Sequence, residues 1–272
     1  STIVIVTFKS EEKIFKCLNS ISNKIPVLVV ENSNNENFKK MVQDNHVNVN
    51  CVLTGENKGY SIANNIGLNL VKTKYALVLN PDTILDTKAI ENFFDSANIN
   101  RDFWLMGPAN NQVEKLDFKE NYLQEVDNLK GFAIFFNMSK FNKKYFDENF
   151  FLFFEEIDLC KRVKKNKGKI YLDKQIYIKH DGASSVNKEN KLDLEKTRNW
   201  HWMWSTFYYQ KKYKGFLLAL IIISPKLFSA IFKTFFYFII INNKKREIYF
   251  CRLSGLLNSI IGKKAWYRPS ID

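Results

Sequence analysis

The chain has 272 residues, 46% of them hydrophobic and 24 of them Phe, enough apolar mass for a sizeable core, which excludes a disordered chain. Its net charge of +13 is concentrated at one end: residues 211–272 hold 12 Lys and Arg against Glu247 and Asp272, a net +10, while the first 210 residues carry +3. Basic residues that punctuate long apolar runs suit an anionic membrane surface and argue against a nucleic acid, which favours basic residues among polar and Gly-rich ones.

Cys17, Cys51, Cys160 and Cys251 lie far apart, without C-x-x-C or zinc spacing, and are expected to be reduced, buried thiols of a cytosolic protein. The first apolar run, residues 2–6, is too short for a signal peptide and has no basic region before it. Residues 2–7 read instead as a buried strand ending at Thr7, and Ser10–Ile21 as the helix after it, with Ser10 at its N-cap. VLVVENSN after Pro26, then Val47–Leu53 and Tyr75–Leu79, read as three more strands, with a helix over Tyr60–Val71. This alternation predicts an α/β fold, a mostly parallel sheet with helices on both faces.

Ligands of such sheets bind beyond the carboxyl ends of the strands. Glu31-Asn32-Ser33 and Asn80-Pro81-Asp82 fall at two of those ends, so both acids are expected on one rim, with Asp82 fixed behind Pro81. A solvated strand end is the plain alternative for Glu31, and an Asx turn or helix cap for Asp82. Between them, residues 54–68 read TGENKGYSIANNIGL: Gly55 and Gly59 permit close backbone approach, the helix start near Tyr60 offers N–H groups to an anion, and Ala63 and Gly67 form a smooth packing face. This is neither a dinucleotide-binding nor a Walker loop.

After Asp86 the pattern weakens; residues 98–130 offer turn signals and one apolar run, FWLMGP, before a strand over Gly131–Asn137 and a short helix. Phe151–Arg162, FLFFEEIDLCKR, then places a strand-like aromatic run ahead of a helix with Glu155 and Glu156 in its first turn. A buried run delivering two carboxylates is how a cleft acid or base is built, with Asp158 placed to orient a neighbour or cap the helix; a charged first turn on a surface helix is the plain alternative. Short strands follow at 169–172 and 176–178. His180 ends this region near the acids, where a neutral imidazole can bind a metal; His46 and His201 have no such neighbours.

Residues 189–212 read as an aromatic-rich helix. FLLALIII and LFSAIFKTFFYFIII follow, each shorter than the ~20 residues of a spanning helix and interrupted by Pro225, Lys226 and Lys233. Lys226, Ser229, Lys233 and Tyr237 share one helical face, so a helix lying in the membrane interface is expected, with Lys244, Lys245 and Arg246 near lipid phosphates. Core helices or an interface between copies of the chain are the alternatives. The expected division is residues 1–209 and 210–272.

IVTFKS, VVENSN, ENKGYSIANNIGL, LVLNPDT, GFAIFFN, YFDENFFLFFEEIDLCKR and KHDGASS, in this order over residues 2 to about 200, together resemble the glycosyltransferase family 2 enzymes with the GT-A fold, especially rhamnosyltransferase-like bacterial members that build surface polysaccharides. The resemblance implies a hexosyltransferase-type, inverting transfer of a sugar, rhamnose among them, from a dTDP- or UDP-linked donor. The acceptor would be a lipid-linked glycan or polysaccharide of O-antigen, capsule or cell-wall synthesis, met at the cytoplasmic face of the bacterial inner membrane. It implies Glu31 against the nucleobase, with Thr7, Asn57, Gly59, Asn64 and Asn80 along the nucleotide sugar. Asp82 becomes the last acid of the DXD motif, holding Mg2+ or Mn2+ on the diphosphate, with His180 as a second contact. Glu156 takes the catalytic base position, flanked by Glu155 and Asp158. Two positions depart from the family pattern: Asn80 replaces the first acid of DXD, and Glu156 replaces an Asp. A nucleotidyltransferase would carry a Gly-rich loop with a basic residue after the first strand, which Phe8-Lys9-Ser10 is not; a non-catalytic membrane scaffold has Asn80 alone in its favour.

Overall fold

Strands and helices alternate from the first residue of the computed structural model, which describes residues 1–109, 122–180 and 191–268. In chain order they are β1 (Thr2–Thr7), α1 (Glu11–Asn19), β2 (Val27–Glu31), α2 (Glu36–Asn45), β3 (Val49–Leu53), α3 (Tyr60–Leu70), β4 (Tyr75–Leu79), β5 (Thr83–Leu85), α4 (Ala89–Ile99), β6 (Phe103–Pro108), β7 (Leu123–Glu125), β8 (Ala133–Asn137), α5 (Glu155–Lys165), β9 (Lys169–Asp173) and β10 (Ile178–His180). The main sheet runs β3-β2-β1-β4-β8-β6-β9-β7. Its first four strands are parallel, β8 is antiparallel to β4 and β6, and β9 is parallel to β6. β5 and β10 form a separate antiparallel ribbon.

Every residue of β1, β2 and β4 is buried, as strands covered on both faces require. Alternate side chains feed two cores: Ile3 and Ile5 pack with residues of α1, α2 and α4, and Val4 with residues of α3 and α5. A Cβ on Gly67 would overlap Val4 Cγ1, so the smooth face expected of α3 is what lets it lie directly on β1.

The chain divides into two compact units, Ser1–Asp147 with Glu155–Ser185, and Glu148–Phe154 with Val186–Asp272. Among the described residues the second holds the helices α6 (Lys191–Lys214), α7 (Phe216–Ile239) and α8 (Asn243–Ile260). Because α6 is one continuous helix, the boundary expected at 209/210 falls inside it. α8 lies so close to α6 that a Cβ on Gly255 would overlap the Trp200 carbonyl, and Trp200, Phe207 and Leu256 are fully buried there.

Two local expectations are corrected. Residues 151–154 are not a strand: Phe153 and Phe154 adopt left-handed backbone, φ 70° and 71°, a conformation costly for bulky residues. Aromatic packing on α6 compensates, with Phe151 stacked on His201 at 4.3 Å and both Phe153 and Phe154 5.3 Å from Trp202; the Ser205 hydroxyl donates to the Leu152 carbonyl at 2.9 Å. Nor does Pro225 break the tail into two segments, since α7 runs through it. Proline cannot donate to the carbonyl four residues back, but the Ser224 hydroxyl donates to that same Ile221 carbonyl at 2.9 Å. Among the described residues α7 is therefore the one helix long and apolar enough to cross a membrane.

Candidate functional site

The carboxyl ends of β2, β1 and β4 form one rim, as the parallel order requires. Glu31 ends β2 opposite Thr7 and is 3% exposed. Burial pushes its carboxyl up to about 7, although the Ser33 hydroxyl donates to it and pulls it part way back. Asn32 ties this strand end to the glycine loop. Its amide donates to Asn57 Oδ1 at 3.1 Å, and its Oδ1 accepts from the Lys58 amide at 2.9 Å and the Thr54 hydroxyl at 3.2 Å. Asn57 Oδ1 in turn accepts from the Gly59 amide at 3.1 Å, and Gly59 turns into α3 with φ 84°.

Three polar atoms in this region, Thr7 Oγ1, Ser61 Oγ and Asn64 Oδ1, are buried without hydrogen-bond partners. Such groups in a native fold mark places that water or a ligand completes. Asn64 is anchored at its other end, where Nδ2 donates to the Tyr60 carbonyl at 2.9 Å.

Asn80 follows β4, its amide donating to the Phe132 carbonyl at 2.9 Å and its own carbonyl accepting from the Thr83 hydroxyl at 2.7 Å. These bonds hold the turn that presents Asp82. The antiparallel β5–β10 pairing sets His180 opposite Thr83, which brings its Nε2 to 3.2 Å from Asp82 Oδ1. Phe132 stacks on the imidazole at 4.8 Å and orients it. Burial raises the Asp82 carboxyl, yet the hydrogen bond from His180 and its charge outweigh this and hold Asp82 below the usual carboxylate range. The two expected metal contacts are thus adjacent: the carboxylate oxygen is the donor Mg2+ and Mn2+ favour, and the imidazole nitrogen suits the softer Mn2+ better than Mg2+. Among the described residues no cluster of three or more His, Cys, Asp or Glu surrounds a metal position. The rest of the KHDGASS motif lies outside the described residues.

Glu155 and Glu156 occupy the first turn of α5. Burial raises both carboxyls; the charge of Glu156 raises Glu155 further, whereas the first amides of the helix, those of Glu156 and Ile157, pull Glu156 part way back. Glu155 is 6% exposed, with Oε2 buried and unpartnered; Glu156 is less buried and packs beside the bare Cα of Gly131, where a Cβ would sit 3.5 Å from its Cγ. Tyr60 joins the two halves of the site: its hydroxyl lies 2.9 Å from the Gly131 carbonyl and 3.1 Å from Asn80 Oδ1. Burial and the charges of Glu155 and Glu156 push this phenol well up, so it remains a hydrogen-bond donor. Nothing in the sequence spacing singles out Tyr60 beyond its place at a helix start.

Asp158 is drawn elsewhere. Fully buried, it accepts from Arg162 Nε at 2.7 Å, and the same guanidinium donates to the Lys144 and Tyr145 carbonyls. Asn65 holds the next residue from α3, accepting from the Phe146 amide at 3.0 Å and donating to its carbonyl at 2.9 Å. Asp158 and Asn65 thus clamp residues 144–146 between α5 and α3. Asp158 thereby orients the Arg162 guanidinium.

A mostly parallel sheet with acids gathered on its carboxyl rim and helices on both faces is the architecture of the GT-A class, and solved structures share the fold. TarS 1-349 of S. aureus matches with a TM-score of 0.53 at 13% identity, over 98% of this chain and 92% of that one. GalNAc-T7 with UDP, GalNAc and Mn2+ matches at 0.58 and 10% identity, over 78% and 52%. The model of glycosyl transferase family 2 matches residues 2–160, more than half of the sequence, and the chain belongs to that family. It is also 28% identical over 193 residues to the low-salt glycan biosynthesis hexosyltransferase Agl10 of Haloferax volcanii, covering 60% of this chain and 61% of the relative, so the match spans about three fifths of that protein's length.

Proposed function

We propose that the chain is an inverting, metal-dependent glycosyltransferase that moves a sugar from a nucleotide diphosphate to a hydroxyl of a glycan or lipid-linked acceptor. The observation that carries this reading is the placement of the Asp82–His180 pair and the buried Glu155–Glu156 pair on either side of Tyr60 and Gly131. UDP is the favoured nucleotide, because TarS 1-349 has been solved with UDP and with UDP-GlcNAc; a dTDP-linked sugar such as rhamnose is the second choice. The unpartnered atoms of Thr7, Ser61 and Asn64 offer polar contacts to the donor, and Glu31 contacts the base. Asp82 and His180 would hold Mg2+ or Mn2+, which offsets charge on the departing diphosphate. Glu156 takes the proton of the acceptor hydroxyl as its oxygen attacks the anomeric carbon. The first compact unit carries this chemistry, and the helical unit of α6, α7 and α8 attaches the enzyme to the cytoplasmic face of a membrane, where lipid-linked acceptors are available.

Thermal unfolding of the purified chain with a panel of nucleotide diphosphates and Mn2+ tests this reading. A ligand at 100 times its Kd adds about 2.7 kcal/mol, so the matching nucleotide should raise Tm by roughly 5–10 °C. The shift should vanish in excess chelator and in Asp82→Ala. A panel without any shift contradicts nucleotide binding, and a shift indifferent to chelator contradicts the metal role.

A further inference from the structure

The helix α7 is amphipathic in the reverse sense of a soluble helix. Leu217, Ile221, Phe228, Phe232, Phe235 and Ile239 recur along one side from its first turn to its last, and all are 61–75% exposed. Ala219, Ile223 and Ala230 on the opposite side are buried against the rest of the helical unit. The polar positions also turn inward: Lys233 Nζ lies 3.4 Å from the Tyr249 hydroxyl of α8, and Tyr237 stacks on Tyr249 at 5.5 Å. So the face carrying Lys233 and Tyr237, expected from the sequence to be the polar side of an interfacial helix, meets α8, and the large apolar face is what remains open. An exposed apolar stripe over 23 residues of helix, about 33 Å at 1.5 Å per residue, marks a binding surface.

We infer that this stripe is the surface by which the protein docks on an anionic phospholipid bilayer, with α7 lying flat in the interfacial plane. Charge selects this occupant. α7 contains no acid, and basic residues stand beyond both of its ends, Lys211, Lys212 and Lys214 before it and Lys244, Lys245 and Arg246 after it. Two basic clusters at one depth suit a helix parallel to the headgroups. A groove of about 460 Å³ along the stripe's edge, lined mainly by Ile231, Phe235, Phe238 and Phe250 with Arg246 and Glu247 on its rim, gives an acyl chain a cleft; Glu247 is paired with Lys196 at 3.3 Å, so Arg246 is the cation offered to the phosphate. The packing of α8 along α7 opposes a spanning arrangement, because α8 would then take Glu247 and Arg252 into the hydrocarbon.

This inference rests on the membrane half of the proposed function, and vesicle binding, read without any sugar substrate, separates its failure from failure of the transferase reading. The full chain should co-sediment with phosphatidylglycerol–phosphatidylcholine vesicles. Salt should weaken that binding without abolishing it, because screening acts on the basic component alone. Phe232→Ser with Phe235→Ser should lower the partition coefficient at least about tenfold while leaving the melting curve intact, since both rings are exposed. With Lys214→Cys or Asn242→Cys, protein added to preformed vesicles should react with a membrane-impermeant maleimide at either end of α7; the four native thiols are buried. An end shielded until detergent is added overturns the flat arrangement. Vesicle binding indifferent to the two serines overturns the stripe, and a wild-type dimer that ignores vesicles and falls apart in the serine variant assigns the stripe to a second copy of the chain.

Discussion

Glu156→Gln is expected to cut the rate of sugar transfer by ~10²–10⁴-fold, the usual worth of a positioned general base, while nucleotide-sugar binding stays within about twofold of wild type. The glutamine keeps the shape of the side chain beside Gly131 but cannot take the acceptor's proton. Burial raises the Glu156 carboxyl, so the acid limb of the wild-type pH–rate profile should lie above the ordinary carboxylate range. Glu155 behaves differently. It is the more buried of the two, and the charge of an ionised Glu156 raises it further, which keeps its proton in place while Glu156 is the base. Glu155→Gln then resembles the protonated native side chain and should lower the rate less than about tenfold. Initial rates of both variants at saturating donor decide the matter; the reverse ranking would exchange the two roles.

The second large effect is on stability. Asp158→Ala should lower unfolding free energy by roughly 3 kcal/mol, because it removes one partner of an ion pair whose carboxylate is fully buried and releases the guanidinium that holds the Lys144 and Tyr145 carbonyls. Urea unfolding with an unchanged m-value measures this loss. At a temperature where the variant remains folded, transfer should persist within about tenfold of wild type. A variant of native stability that lacks transfer would return Asp158 to the catalytic group.

How much of this was legible in the sequence follows the physics of each element. Three of the first four strands, β1, β2 and β4, are buried runs rich in aliphatic residues, and parallel pairing alone sets Thr7, Glu31 and the Asn80–Asp82 turn at one rim, so that half of the site follows from order. The helix of the two glutamates is likewise announced by its acidic first turn and apolar side. By contrast, the i, i+3, i+4 pattern of α2, ENFKKMVQDN, rests on Phe38, Met41 and Val42 alone; the Asn35 side chain caps the helix by accepting from the Phe38 amide at 2.9 Å, and Phe38 and Val42 reach the core. α4 has no cap at Lys88; its start is held from two residues earlier, where Asp86 Oδ1 accepts from the Lys88 amide at 3.0 Å, so the signal stands apart from the helix it opens. The strands β6, β8 and β9 pair out of chain order, which no local pattern records. Asn32, Asn65 and Tyr60 act through polar side chains that bond to distant backbone or to the side chains of distant residues, and such long-range partners leave no trace in spacing. Ser224 keeps α7 whole across Pro225 by one local hydrogen bond, which inverts the usual reading of a proline.

The anomeric configuration of the product tests the central claim most directly. With a nucleotide sugar chosen by the thermal panel and an acceptor that accepts it, proton NMR of the newly formed glycosidic bond should show the configuration opposite to that of the donor, as a single displacement assisted by Glu156 requires. A product that retains the donor's configuration would contradict the assignment of Glu156 as general base and, with it, this account of the site.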